Sequence, residues 1–424
     1  MPRCSILRRC FLNSCLILAM LLAPAPARAE NWPCWRGPRG DGTSEEPNAP
    51  VRWDGTTGEN IAWKTEVPGT GHASPVVWGN RIFLASCVEE EHDRILVCLD
   101  RRTGNGLWRK SVLRSPLEKK HHLNSYASST PTTDGRLVYV TFLEASQPGV
   151  AEGARMAVAA FDFDGNQQWL VRPGPFSSVH GYCSCPVLFE DTVIVNGDHD
   201  GEAYLVALDR RTGETVWKVP RENKTRSYST PIIRTIDGRC QMILSGSKSV
   251  ASYDPRDGSR HWIIDGPTEQ FVASVVYNEG LVFLTAGFPE HHILAIRPDG
   301  HGNVTDTHIA WRTTENTSYV PSPIAIGDYF LVVSDEGIAS CYRNDGRRVW
   351  KRRMGPHYSA SLVSAGGLVY FTSDEGVTTI VRPDDQYDQV AKNPLGEACY
   401  ASPAISQGQI FIRGEKHLYA IGGE

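Results

Sequence analysis

An imidazole or a phenol recurs along this chain at intervals of roughly 40 to 55 residues, each time just before a small residue and an apolar run. The series is His72, Tyr126, Tyr182, Tyr228, Tyr319, Tyr358 and Tyr400, with Phe271 in the same place. Close to these in sequence stand His121, His122, Asn124, His180, Arg226 and His357. Three acidic strings add carboxylates: Asp198-His199-Asp200 in GDHDG, and Asp335-Glu336 and Asp374-Glu375, each in SDEG. Aromatic walls with convergent carboxylates and imidazoles could hold a small polar ligand or a cation, and either group type could accept a substrate proton. The same strings also meet the needs of hairpin turns, where Asp and Gly are favoured. Their chemistry therefore depends on whether the fold brings them to one place.

Other reactive groupings are weaker. His121-His122 and His291-His292 are adjacent pairs, and neighbours on a strand face opposite ways. Cys183 and Cys185 are spaced to share one strand face, but there is no CxxC, and no metal site is expected. Cys98 and Cys341 occupy a repeat position held by Ala160, Ala207 and Ser252 elsewhere, so they read as small core residues. GxSxG is absent, and the Ser-Pro and Ser-Thr pairs before the apolar runs recur as repeat elements, not as a nucleophile elbow.

The elements that must position these groups come from two interleaved patterns. One is a strand, a tight polar turn and a tryptophan: VCLDRRTGNGLW at 97–108, AAFDFDGNQQW at 159–169, VALDRRTGETVW at 206–217, ASYDPRDGSRHW at 251–262, a longer copy at 294–311, and ASCYRNDGRRVW at 339–350. The other is a small residue or proline, an apolar run, a turn and an alternating strand, with starts at Ala73, Ser129, Ser184, Ser229, Ala273, Pro321, Ala360 and Ala401. Together they give four short antiparallel strands per unit with no helical period between, the pattern of a propeller blade. The expected fold is all-β, an eight-bladed β-propeller. The eighth start stops before a last strand, and ENIAWK at 59–64 near the other end supplies it, closing the ring and removing two exposed sheet edges.

Asp100, Asp162, Asp209 and Asp254 are placed to bond N–H groups two residues on, with Gly104, Gly165, Gly213 and Gly258 at positive φ in bulged hairpins. Trp63, Trp108, Trp169, Trp217, Trp262, Trp311 and Trp350 share one repeat position and read as plugs between blades. Val390 stands where the seventh unit should carry Trp, so that junction is expected to be weaker. In a propeller the first strand of each blade is innermost, so the His and Tyr series should ring one mouth of the central channel, with the acidic strings on the same face.

Composition sets limits. The chain has 424 residues, 41% of them hydrophobic and 21% charged, enough for a large core. Arg3, Arg8 and Arg9, an apolar run from Leu16 to Ala23 and Ala27-Arg28-Ala29 read as a signal peptide over residues 1–29, cleaved near Ala29. The apolar run is too short to span a bilayer, so the mature chain is expected to be periplasmic or secreted. Loss of the four leader arginines moves the formal charge from −5 to −9, and no basic face points to nucleic acid. Eight of the eleven cysteines remain after cleavage. Residues 30–58 are rich in Gly and Pro and should form an extended arm laid over a propeller of residues 59–424.

The repeat resembles the tryptophan-docking motif of the pyrroloquinoline quinone (PQQ) propeller superfamily, and VALDRRTGETVW matches it well over a likeness covering nearly the whole mature chain. The superfamily includes quinoprotein dehydrogenases and BamB-like assembly factors that bind no PQQ. NWPCWRGPRGDG is similar to the mature start of exported propellers of planctomycete-type bacteria. For the dehydrogenases the resemblance implies PQQ, a divalent cation, a carboxylate base and an adjacent-cysteine disulfide. This chain has no Cys-Cys pair and no CxxCH, and it is shorter than those enzymes. The expectation is a monomeric, non-catalytic scaffold binding a protein or envelope component. The alternatives are a PQQ- or small-ligand-dependent oxidoreductase at the channel mouth, and a glycan-binding propeller.

Overall fold

The computed structural model describes Met1 and residues 29–423; the leader proposed for residues 1–29 lies almost wholly outside them. Eight sheets, each of four antiparallel strands a to d, form the blades. Blade 1 runs through Val76–Trp78, Arg81–Val88, Asp93–Asp100 and Gly106–Arg114. Blade 8 is composite: Ala404–Ser406, Gln409–Arg413 and His417–Ile421 are completed by Ile61–Glu66, whose Trp63 lies opposite Ala420. The last strand of the ring thus comes from the beginning of the propeller, as the orphan ENIAWK predicts. In the longer fifth unit, Gly302–Asn303 leaves its own blade and adds a parallel fifth strand to blade 4.

The Asp-to-Gly turns behave as their residues dictate. Asp100, Asp162, Asp209 and Asp254 each accept the N–H two residues on, at 2.8 to 3.0 Å. A bulge follows in every blade, for example between Ala207 and Leu208. The glycines of these turns do a second job that their φ requirement alone does not reveal. A Cβ built on Gly213 (φ +76°) would stand 2.8 Å from Trp169, and one on Gly346 would stand 2.8 Å from Trp311. Each tryptophan lies on the turn of the following blade and also donates its indole N–H there. Trp169 reaches Arg210 O at 3.1 Å, Trp311 reaches Asn344 O at 2.8 Å and Trp350 reaches Asp384 O at 3.0 Å.

At the inner ends of the blades a second belt joins them. The N–H of Ser74 donates to Thr130 Oγ1 (2.9 Å), and that of Thr130 to Cys185 Sγ (3.2 Å). Cys185 N–H donates to Thr230 Oγ1 (2.9 Å), Thr230 to Ser274 Oγ (2.7 Å) and Ser274 to Ser322 Oγ (2.9 Å). Ser322 donates to Ser361 Oγ (3.0 Å), and Ser361 to Ser402 Oγ (2.9 Å). The recurrent Ser or Thr before strand a is therefore an inter-blade acceptor, with Cys185 taking one turn in the series. Cys183 and Cys185 precede strand Val187–Phe189 and have separate surroundings, which corrects the expectation of a shared strand face. All eight cysteines among the described residues are free thiols.

The junction lacking Trp is not bare. Val390 packs against a cluster that contains Trp53 from the arm, itself 2% exposed. Asn393 ties the arm down by accepting from Trp53 N–H (3.3 Å) and donating to Val51 O (2.9 Å). Arm packing thus occupies the seam where the indole is missing.

The rest of the arm crosses the end of the channel formed by the a–b turns. Trp32 bridges Val77 of blade 1 through two backbone bonds, and Pro33 O accepts from Thr133 of blade 2. Asp41 pairs with Arg234 of blade 4 at 2.8 Å, and the buried Arg36 donates to Pro323 O of blade 6 at 2.6 Å. Ser44 and Gly42 bond Ser364 of blade 7, and Glu46 takes the N–H groups of Gln407 and Gly408 in blade 8. No helix among the described residues is long and apolar enough to cross a membrane.

Gly213→Ala is expected to destabilise the protein by on the order of 3 kcal/mol, combining left-handed strain with the indole clash. Gly238→Ala, at φ +77° in open space, should show the strain alone. Chemical denaturation of both separates the two effects, and equal losses would deny the indole contact its role.

Candidate functional site

The d–a and b–c loops meet at the other end of the channel around an open cavity of about 740 Å³. Every blade contributes to its wall through the loop that leads into strand a. His72, Tyr228, Tyr319 and Tyr400 of the recurrent series line it, as do His180 and His357. His121 and Asn124 join them from the loop into blade 2, and Asp335 and Glu336 from the b–c turn of blade 6. His72 lies against Tyr400 with ring centroids 4.7 Å apart, and His121 meets His180 edge-on at 5.3 Å.

Half of the residues expected at the mouth are elsewhere, each for a local reason. Tyr182 is buried edge-on against Phe176 in the core between blades 2 and 3, and Tyr358 is buried between blades 6 and 7. Tyr126 lies beneath Lys120, whose Nζ is 5.0 Å from the ring centroid. Asp198 is fully buried, receiving Arg221 Nε at 2.8 Å and Ser227 Oγ at 2.6 Å. Asp200 and Arg226 form an ion pair at 2.8 Å, and Arg226 Nε in turn donates to His180 Nδ1 at 3.4 Å. These two act behind His180, not at the wall. Glu375 projects into solvent from its turn.

The two SDEG turns explain where their aspartates point. Asp335 accepts the N–H groups of Tyr319 (2.7 Å) and Val320 (3.0 Å), fixing the loop that leads into its own blade. Asp374 does the same for blade 7, receiving His357 Nδ1 at 3.0 Å and Ser359 Oγ at 3.1 Å. Its second oxygen is buried without a partner. Burial pushes both carboxyls above their usual range. Each turn is a hairpin and a loop clasp at once.

The wall also holds residues that the repeat pattern does not single out. His291 lines it, bonded at 3.1 Å to Thr317, while its neighbour His292 is buried in strand c, so the pair does face opposite ways. Thr314, Asn316 and Thr317 line it as well. They lie in non-repeating loop sequence, where no periodic signal marks them. Among the described residues no three His, Cys, Asp or Glu side chains gather as a metal site.

Three of the wall imidazoles, His72, His121 and His180, are biased toward the neutral form. Burial, with the Arg413 and Lys120 charges next, pushes His72 down to about 4. Burial and then the Arg226 charge lower His180, and His121 is lowered by burial and by His122. A histidine lowered on folding takes its proton more readily in the unfolded chain, whose value is about 6.5. Stability should therefore fall as pH drops from about 6.5 toward 4, and His72→Asn should flatten part of that limb in thermal melts. An unchanged limb would remove His72 as a source.

Comparison with known proteins places this geometry. A family model described as outer membrane protein assembly factor BamB matches residues 43–142 and 91–352. No curated protein matches by sequence. Among solved structures, BamB from Moraxella catarrhalis is 12% identical with TM-score 0.55, over 86% of this chain and 97% of its own. A europium-containing methanol dehydrogenase is 12% identical with TM-score 0.54, over 92% of this chain and 90% of its own. The computationally designed Ika8 protein is 10% identical with TM-score 0.60, over 86% of this chain and 100% of its own. At such identities these likenesses speak to the propeller alone.

Proposed function

Because this chain belongs to the PQQ-repeat propeller family whose model is described as outer membrane protein assembly factor BamB, we propose that it is an exported, non-catalytic scaffold. In this reading it works in the periplasm or outside the cell and binds a polypeptide partner of the envelope through the open mouth. One observation carries the reading. The arm crosses one end of the channel, while the other opens into the cavity, whose aspartates are engaged with its own loops. What faces outward is imidazole, phenol, amide and the Glu336 carboxylate, with Leu123 exposed at the wall and Phe288 exposed in the b–c loop of blade 5. A polar hollow with exposed apolar side chains near it suits a peptide segment, with its amides bonded inside and an apolar anchor at the edge.

The wall fits PQQ poorly. The quinone carries three carboxylates, and the cavity offers no Lys or Arg to meet them while presenting Asp335 and Glu336. The Arg226 guanidinium behind His180 is paired with Asp200. A second reading, an enzyme at the same mouth, draws support from the His357–Asp374 pair, because a carboxylate that fixes one imidazole nitrogen prepares the other as a base.

Leu123→Asp and Phe288→Asp are expected to weaken retention of the envelope partner at least about tenfold while leaving thermal stability nearly unchanged. PQQ with calcium should leave the quinone absorbance unaltered. Substrate-dependent dye reduction abolished by His357→Gln would overturn the scaffold reading in favour of the enzyme. Saturable glycan binding at the mouth would overturn it in favour of a lectin.

A further inference from the structure

The arm begins at a residue that is fixed by every polar group it has. Glu30 N donates to Glu46 Oε1 at 2.8 Å, and Glu30 O accepts from Ser406 Oγ at 2.6 Å. Its carboxylate meets Arg39 through two bonds of 2.8 and 2.9 Å and accepts the N–H of Glu45 at 2.9 Å. Glu46, which receives Glu30 N, is 4% exposed. Its other donors are the neutral N–H groups of Gln407 (2.5 Å) and Gly408 (2.6 Å), in the a–b turn of blade 8. Among the described residues no Lys, Arg or His lies in salt-bridge contact with it: Arg39 faces Glu30 and Glu45, and Arg101 binds Ser406, Gln407 and Gln409. A buried carboxylate whose donors are all neutral N–H groups, with the Arg101 guanidinium near it but bonded elsewhere, has no direct cationic donor to offset its desolvation.

We propose that Glu30 is the amino-terminal residue of the working protein and that Glu46 is the built receptor for its α-ammonium. Hydrolysis adds water across the Ala29–Glu30 peptide bond, leaving a carboxylate on Ala29 and an amine on Glu30 that is protonated below about pH 8. The position follows Ala27-Arg28-Ala29, a small-x-small site for a leader peptidase. The amide that donates to Glu46 in the precursor becomes a cation at the same place, turning a neutral hydrogen bond into a buried ion pair. That pair draws the start of the arm onto blade 8, the composite sheet that closes the ring. Removal of the leader thus completes the clasp as well as freeing the chain.

The sign of the pH dependence follows. An ammonium that gains an anionic partner on folding stabilises the fold fully below its unfolded value of about 8, and the gain is lost as pH rises through the higher folded value. The charged groups facing it are the Glu30 carboxylate, Arg39, Glu45, Glu46 and, behind the Gln407 turn, Arg101. Carboxylates and guanidinium groups keep their charge between pH 7 and 10, so the amine alone changes there.

The test uses the full chain with its leader, exported by a bacterial host and purified from the periplasm, beside a form with Gly-Ser inserted between Ala29 and Glu30. Mass spectrometry should find Glu30 as the first residue of the wild type. Its melting temperature should exceed that of the insertion form by about 2 °C at pH 6.5, and the difference should vanish by about pH 10. Glu46→Gln should erase the difference at both pH values. If that variant does not accumulate, the wild-type and insertion forms at two pH values decide alone. A mature terminus elsewhere, or identical pH profiles for the two forms, would overturn the proposal.

Discussion

The docking of each indole on the next blade's turn is the interaction on which the rest of this molecule depends. A four-stranded blade has two faces to cover and is too small to stand alone, so its stability comes from its neighbours. Here the cover is directional. Trp169 lies on the turn that holds Gly213 and donates to Arg210 O in the same turn. One glycine therefore meets two demands, a positive φ for the bulged hairpin and an absent Cβ for the indole face. Local turn chemistry and inter-blade packing select the same residue, and that agreement makes the repeat robust.

The eighth blade shows what happens when that arrangement is interrupted. Its strands c and d come from opposite ends of the propeller, so no continuous turn exists there to receive an indole from blade 7. Val390 in place of Trp is then a consequence of where the ring is cut, and Trp53 covers the junction from the arm. The arm that repairs this seam goes on to cross the channel at the same end. Closure of the ring and asymmetry of its two ends have a single origin. The end formed by the d–a and b–c loops is open, and the arm lies at the other.

Much of this was legible in the sequence, because repetition reports on positions that do the same physical work in every copy. Strand order, the closing strand and the indole plugs fall in that class. The belt from Ser74 round to Ser402 does not, since its acceptors vary among Ser, Thr and Cys and its donors are backbone N–H groups that no side chain announces. The site was half legible for a related reason. Equivalence in sequence brings His72, Tyr182, Tyr358 and Tyr400 to the same height on their blades, but loop length and neighbours decide which way each ring turns. Phe176 draws Tyr182 inward, whereas Tyr400 finds His72 across the mouth. Thr314 to Thr317 and His291 reach the wall from loops that differ between blades, so no period could point to them.

The acidic strings show how far a turn residue can be from a reactive one while sharing its sequence. Asp335 and Asp374 stand at the same place in two SDEG turns, and each holds the loop that enters its own blade, one through backbone N–H groups and the other through His357 and Ser359. Blade 8 reaches the same end with the polarity reversed, since Glu397 in the incoming loop accepts the N–H groups of Lys416 and His417 in the b–c turn. These bonds commit each carboxylate to a loop of its own fold, although Asp374 keeps one buried oxygen without a partner. The aspartates of these turns therefore set the shape of the mouth, and the groups left to meet a partner are its rings, its amides and the exposed Glu336 carboxylate.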